Sequence, residues 1–395
     1  MDLYLQMGHG MMGIAKDLIS SWGSGTIILS PRDLNEEQTI NFSKEIHKRN
    51  GKLLFDPQYY NPYADHKKLI EWRHWFNQYE TSLLSENSYI SNLFEQIKSI
   101  NDNIKSEAYI IPGILCSNID KFWLNPQQIF LDNANKYFID KEKFATLALE
   151  ESLITDEESI EKLIQTTSTW NVDGYYIVPN GVYLTNEDFW LSNLALLVAG
   201  LKLQNRKVIV GYSNHQMLLL SCVNADAIAS GTFLNVRHFS TEKFDEATED
   251  SQSRRTTWYY CPQAMSEYRK RALDIAFNKK DGSINLLKPF GEITDYTKLL
   301  FQGIMPSSTE FKDTLSFKHY LDTLKKQCLI SKKDSFENTI IFQEELADNA
   351  YKFIKQLKEI GIRENMRNFL NIYDSYKTTL SIIKKERGPL LKRKW

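Results

Sequence analysis

The chain has 395 residues, 42% of them hydrophobic and 25% charged, with a formal net charge of −2. These are globular values that exclude a disordered chain, and the length suits two or three domains or one α/β barrel with additions. No apolar run approaches the ~18 residues of a membrane span, and Met1–Gly10 has no basic stretch leading into an apolar core, so a soluble, cytoplasmic protein without a membrane partner is expected.

Eight strands are expected before residue 231: Asp2–Gln6, Thr26–Leu29, Lys52–Phe55, Ala108–Ile111, Phe144–Leu149, Gly174–Val178, Lys207–Val210 and Asp226–Ser230. Helical segments separate most of them. Asn35–Asn50 has apolar residues at helical spacing and stops at Gly51, Asp156–Thr166 follows Thr155 as N-cap, and Asn186–Gln204 carries the apolar run WLSNLALLVAGL. Strands alternating with helices predict a parallel sheet with right-handed crossovers, and eight such units match a (β/α)8 barrel of the TIM type. A doubly wound open sheet is the alternative. The segment Gly8–Gly13 misses the GxGxxG pattern, so no dinucleotide cofactor is expected, nor any other.

The stretch between the third and fourth strands, 57–107, is too long for one crossover and is rich in Tyr and Trp. It reads as a helical insertion above the barrel mouth, either an aromatic core or a stacking platform for a base. From Cys261 the pattern is helical. Pro262–Phe277 is expected as the last barrel helix, with Ser335–Ile360 and Ile362–Glu386 beyond it and Gly361 as a C-cap. The domain reading is a barrel over 1–280, with the insertion at about 57–107, and a helical, basic region over 281–395. That last region holds 20 Lys/Arg against 15 Asp/Glu. Lys384, Lys385, Arg387, Lys392, Arg393 and Lys394 cluster in its tail, as a solvated end or as contacts to a nucleic-acid backbone.

In such a barrel the chemistry sits at the C-terminal ends of the strands. These offer His9; Arg32 with Asp33; Asp56 with Gln58; Glu150 and Glu151; Asn180; Gly211, Tyr212, Ser213 and His215; and Ser230, Thr232, Asn235 and Arg237. Asp56 precedes Pro57, a common turn opening, and Arg32 beside Asp33 is either a local pair or an anion clamp. Asp56, Glu150 and His215 together would supply general acid–base capacity. No GxSxG, P-loop or metal-spaced His/Cys cluster occurs, so no metal is expected, and Cys116, Cys222, Cys261 and Cys328 are expected as reduced thiols.

Two segments carry a family resemblance. Phe55–Tyr60 (FDPQYY) resembles the strand-end aspartate segment of tRNA-guanine transglycosylases, and VGYSNHQMLLLSCVNADAIASGTFLNVR is similar to that family's last two β/α units, with Asn235-Val236-Arg237 as its closing element. The resemblance extends to the DpdA-like proteins that insert deazapurine bases into DNA. It implies an enzyme of the glycosyltransferase or glycosidase kind, acting on the N-glycosidic bond of a nucleotide in DNA or tRNA. Asp56, Glu150 and His215 would be catalytic. His9, Arg32, Gln58, Tyr59, Gly211, Tyr212, Ser213, Asn235 and Arg237 would bind substrate, including a purine-like or deazapurine base. Ala229 or Ser230 stands where the family has its nucleophilic Asp, and the zinc-binding cysteine motif is missing. The alternatives are a barrel that binds nucleic acid or a protein partner without chemistry, and a metal-independent small-molecule hydrolase or lyase.

Overall fold

The computed structural model describes residues 1–64, 66–76, 79–187, 189–244, 256–277 and 294–395. Eight parallel strands, β1 (Asp2–Gln6), β2 (Gly25–Leu29), β3 (Gly51–Phe55), β4 (Tyr109–Ile111), β5 (Lys143–Leu149), β6 (Gly174–Pro179), β7 (Lys207–Val210) and β8 (Ala227–Ser230), pair in the order 3-2-1-8-7-6-5-4. All eight expected strands are present, within a residue of the expected ends. The chain is a (β/α)8 barrel. β1 lies between β2 and β8, with Leu5 opposite both Ile27 and Ser230. The β3/β4 seam has no ladder; the Glu107 N–H donating to the Leu53 carbonyl at 2.9 Å bridges it.

The strands are short apolar runs because helices cover the outside and side chains fill the inside. Every residue of β6, including Tyr175 and Tyr176, is buried. Helices α1 (Met12–Trp22) and α2 (Glu36–His47) follow β1 and β2. Asn35 caps α2 through a reciprocal pair with Gln38, as the Asn-x-x-Gln spacing permits. The short α3 (Lys67–Ile70) belongs to the insertion, and α4 (Asn87–Ile104) is the ordinary crossover into β4. The insertion therefore ends near Glu86 rather than at 107. Its aromatics form a core. Tyr59, Trp72, Trp75 and Tyr79 are at most 5% exposed, and the Trp72 indole donates to the carbonyls of Pro31 and Leu34. A stacking platform is not what these rings build.

Further on come α5 (Lys121–Tyr137), α6 (Glu151–Ile154) and α7 (Glu157–Thr167); the N-cap of α7 is Asp156, accepting from Ser159 N, not Thr155. Helix α8 (Trp190–Leu203) is apolar all round because the barrel lies on one side and a later helix on the other.

The expected helix Pro262–Phe277 is mostly a hairpin. β9 (Trp258–Cys261) and β10 (Ser266–Arg269) pair antiparallel around Pro262 and a left-handed Met265, and only α9 (Lys270–Phe277) is helical. The aromatic run WYYC favours a strand, and Pro262 opens only a 3-10 turn that the left-handed Met265 ends before β10 pairs back. The helix that closes the ring is α10 (Asp313–Ser331). It packs on β1, on α1 and on the 3-10 helix His215–Val223 that follows β7. Asp322 accepts from the Trp22 indole at 2.9 Å. The expected domain boundary at 280/281 falls outside the described residues.

Helix α11 (Phe336–Glu359) ends in a Schellman turn at Gly361, φ 94°, as the sequence indicates. The next helix, α12 (Tyr373–Glu386), starts eleven residues later than Ile362, because Glu364 accepts from the backbone N–H groups of Asn365 and Met366 and ties that segment into a loop. α12 lies on α8, and α13 (Gly388–Arg393) completes the tail.

Helix α10 buries Leu321 and Leu324 completely against the barrel. Leu321→Ala or Leu324→Ala is expected to lower unfolding free energy by about 2–5 kcal/mol, measured by chemical denaturation, as large-to-small changes in a filled core do.

Candidate functional site

Asp56 is the residue just beyond β3. Its N–H continues the ladder to the Leu29 carbonyl at 3.0 Å, and Pro57 then ends the strand. Gln58 takes a left-handed backbone, φ 52°, and this turns its N–H back onto Asp56 Oδ1 at 2.9 Å. Two residues on, the Tyr60 hydroxyl donates to Oδ2 at 2.5 Å. From across the barrel the Tyr176 hydroxyl reaches the same oxygen at 3.3 Å and lies 3.1 Å from Gln6 Oε1 of β1. The Gln58 amide donates to the Tyr212 hydroxyl at 2.8 Å and its Oε1 accepts from Arg32 N at 3.0 Å. Gly211 makes room for this: a Cβ there would stand 2.6 Å from the Tyr176 hydroxyl oxygen.

The carboxyl is fully buried, and burial pushes its pKa up to about 6 despite hydrogen bonds from Tyr60, Gln58 and Tyr176 and the nearby charge of Lys243. Burial and the Asp56 charge hold Tyr60, Tyr176 and Tyr212 well above the ordinary tyrosine range, so they remain proton donors. The Lys243 ammonium lies 3.4 Å from the Tyr212 ring centroid, and burial together with Arg32 lowers its pKa well below the usual value. Phe239 and Phe244 pack edge-on against Tyr60 and cover the carboxyl. The result is a buried carboxyl that is protonatable near neutrality and surrounded by tyrosine hydroxyls, which suits general acid–base work. Gln6 Nε2 is buried without a partner among the described residues, an open donor in the chamber around Asp56.

Among the described residues no hydrogen bond joins the expected trio. Glu150 accepts from the Asn180 amide at 2.6 Å and shares no hydrogen-bond partner with Asp56 among the described residues. His215 is packed against Tyr183, Tyr260 and Tyr320, and burial lowers its pKa to about 4. Tyr59 points away into the insertion core, hydroxyl to hydroxyl with Tyr89. Ser213 is spent on the carbonyls of Val210 and Gly211. His9 is exposed and borders a separate cavity with Asp33, Gln38 and Lys68. Arg32 makes its local pair with Asp33 at 3.5 Å and donates to the Lys243 carbonyl at 2.6 Å. Of the expected residues, Asp56, Gln58, Gly211, Tyr212 and Arg32 do meet. Reading the strand ends alone misses Gln6, Tyr60, Tyr176 and Lys243. For Tyr60 the i, i+2, i+4 pattern Asp56-Gln58-Tyr60 was a usable signal. Tyr176 and Gln6 lie inside strands, where nothing in one sequence separates a functional residue from a packed one.

Asn235 and Arg237 form a second group. Arg237 is 2% exposed, with its Nε donating to the Gly231 carbonyl at 2.9 Å and a guanidinium nitrogen 3.2 Å from Glu267. Arg367 reaches the same Glu267 oxygen at 3.1 Å, and Tyr183 bonds the other. Burial opposes ionisation of Glu267, but Arg237 and Arg367 outweigh it and hold the carboxyl below its ordinary value.

The basic tail is not at the mouth. The Lys394 ammonium donates to the Leu203 carbonyl and to Asn205, beside the start of β7, at the opposite end of the barrel from Asp56. Lys384 pairs with Glu344, Lys385 with Glu386, Arg387 with Glu161 and Lys392 with Glu337, while Arg393 is exposed. Arg387 and Lys394 fasten the C-terminal helices to the barrel wall, Lys384 and Lys392 join those helices to one another, and the expected backbone-binding strip is not formed beside the candidate site. The four cysteines are free and buried, and among the described residues no group of three or more His, Cys, Asp or Glu could hold a metal. No described helix is long and apolar enough to cross a membrane.

No family model matches the sequence, and no curated protein matches it. Solved structures similar to the chain include thiamine phosphate pyrophosphorylase from Pyrococcus furiosus, at 9% identity and TM-score 0.31 over 58% of this chain and 85% of that one. A Thermobacillus composti GH10 xylanase matches at 8% identity and TM-score 0.38, over 58% and 83%. The glycoside hydrolase family 30 xylanase Xyn30A from Clostridium acetobutylicum matches at 10% and 0.35, over 62% and 68%. None of these similarities assigns a reaction.

Because Asp56 is raised from 3.8 to about 6, the protonated form is favoured in the folded state, and its contribution to stability is lost as pH rises from about 4 through 6. Asp56→Asn lacks this term. Its stability relative to wild type should therefore improve by about 2 kcal/mol between pH 4 and pH 7, by urea denaturation at each pH. The buried His74, His215 and His319, each lowered to about 4, act in the opposite sense but in both proteins, and cancel in the difference.

Proposed function

We propose that the barrel is an enzyme that works by general acid–base catalysis at Asp56, on the N-glycosidic bond of a nucleotide in nucleic acid, by base release or base exchange. The observation that carries the acid–base part is the buried Asp56 carboxyl, with a pKa of about 6 and hydroxyls of Tyr60 and Tyr176 on one oxygen. The reaction class comes from the resemblance of Phe55–Tyr60 and of residues 210–237 to tRNA-guanine transglycosylases. Asp56 as carboxylate takes a proton from water or from the incoming base, and as acid returns one to the departing base. Lys243 lies close enough to lower the cost of the charge that remains. With Ala229 and Ser230 at the expected nucleophile position, water attack needs no covalent glycosyl intermediate. Arg32 and Lys243 beside Asp56, with Arg237 and Asn235 next to them, are the mouth groups offered to a sugar-phosphate.

A second reading, a barrel that binds without chemistry, has one observation in its favour: Asp56 is fully buried beneath Tyr60, Phe239 and Phe244. Base release from, and base exchange into, DNA and tRNA separates the two. The enzyme reading expects Asp56→Asn to lose about 10²–10⁴-fold in kcat. Tyr60→Phe removes a hydrogen bond from the charged form and should move the acidic limb of the pH–rate profile upward. Absence of base release and base exchange by the wild-type protein leaves the binding reading, whereas full activity in Asp56→Asn overturns Asp56 as the acid–base group.

A further inference from the structure

Beside the Asp56 chamber, on the far side of Asn235, lies a cavity of about 500 Å³ between the end of β8, the β9–β10 hairpin and α10. Its wall includes Thr232, Arg237, Arg269, Arg367, Trp258 and Phe317. The geometry points to a binding site for a flat apolar molecule that carries a phosphate or carboxylate group.

Three guanidiniums line the cavity against two carboxylates, Glu267 and Asp313, and both carboxylates are engaged. Glu267 holds Arg237, Arg367 and Tyr183, and Asp313 accepts from the Thr257 hydroxyl at 2.7 Å. Arg269 is in turn paired with Glu364 at 2.7 Å, so an anion would be met by the guanidinium N–H groups left open rather than by a net charge. Two of the guanidiniums are also held by their faces. Arg237 Cζ lies 3.5 Å from the Tyr320 ring centroid, and Arg367 Cζ lies 4.0 Å from that of Trp258. A stacked guanidinium keeps its N–H groups in the plane of its edge, the geometry that meets two oxygens of one oxyanion. The bonds these arginines make among the described residues leave N–H groups on each of them.

Thr232 is independent of the arginines. It is 1% exposed, it lines the cavity, and its hydroxyl has no partner among the described residues, an arrangement that a bound acceptor would repair. An oxyanion fills only a small part of about 500 Å³. The remaining wall, with Trp258, Phe317 and Phe233, suits a ring. Lys243 links the two sites: its ammonium donates to the Asn235 carbonyl at 3.3 Å and faces the Tyr212 ring beside Asp56. For its place in a reaction this site rests on the acid–base reading of Asp56; for binding it does not.

Titration calorimetry of the full chain with phenyl phosphate, benzoate and phenol tests this. Phenyl phosphate should bind at least about tenfold tighter than phenol, since charge-assisted bonds are the stronger ones. Benzoate tighter than phenyl phosphate makes the group a carboxylate, and the reverse makes it a phosphate. Thr232→Val keeps the volume, and Arg269→Gln changes a half-exposed side chain. Each should weaken the preferred anion by about tenfold and leave phenol unchanged. Equal binding of all three probes, no binding of either anion, or unchanged anion affinity in both folded variants overturns the site. Asp56→Asn should bind the anion like wild type, so loss of turnover with binding kept concerns Asp56 alone, and loss of binding in the cavity variants concerns the cavity alone.

Discussion

A hydrogen bond between barrel strands that are not neighbours has to cross the lumen, and three such bonds meet at or beside Asp56. Tyr176 of β6 reaches Asp56 beyond β3, the same hydroxyl faces Gln6 of β1, and Gln58 reaches Tyr212 beyond β7. The top of the barrel is therefore polar and connected. A carboxylate in that position would be costly alone. It is tolerated because the Gln58 N–H and the Tyr60 and Tyr176 hydroxyls donate to it, and the remaining cost appears as the raised pKa.

The segment after β8 depends on the same chamber. Phe239 and Phe244 lie on Tyr60, and Lys243 lies on Tyr212 and beside the Asp56 charge. The same segment carries Arg237, whose charge is matched by Glu267 from the hairpin and shared with Arg367 from the loop before α12. The C-terminal helices are thus part of the wall of the second cavity as well as a brace on the outer helices. Of their basic tail, Arg387 and Lys394 hold them to the side of the barrel, and Lys384 and Lys392 pair with carboxylates of the C-terminal helices themselves.

Much of this was legible in the sequence. Strands buried on both faces are apolar runs without alternation, and eight of these were found within a residue of their ends. Asp56 stood out because a charged residue straight after an apolar run and before proline has a restricted set of uses. The failures have physical causes. WYYC favours a strand where it stands, but its return strand Ser266–Arg269 runs straight into the helix Lys270–Phe277, so only the hairpin pairing separates the two. Tyr59 and Tyr60 are adjacent and chemically alike, and the turn at Gln58 decides that one faces the carboxyl and the other the insertion. His215 had the right residue type at the right strand end, but the 3-10 helix it opens turns it into a cage of tyrosines.

What the sequence determined by itself was the barrel, since the period and spacing of apolar runs are local properties, together with the aspartate at the end of β3. What only the tertiary structure decided was the company that aspartate keeps. Tyr176, Gln6 and Lys243 come from three distant stretches of chain, and each would pass as core or surface where it stands. Closing the barrel brings them within hydrogen-bond or charge range of one carboxyl. The pairing of Arg237 with Glu267 and Arg367 was decided in the same way. A charge can be buried only where its partners converge, and convergence is a property of the closed fold, not of spacing along the chain.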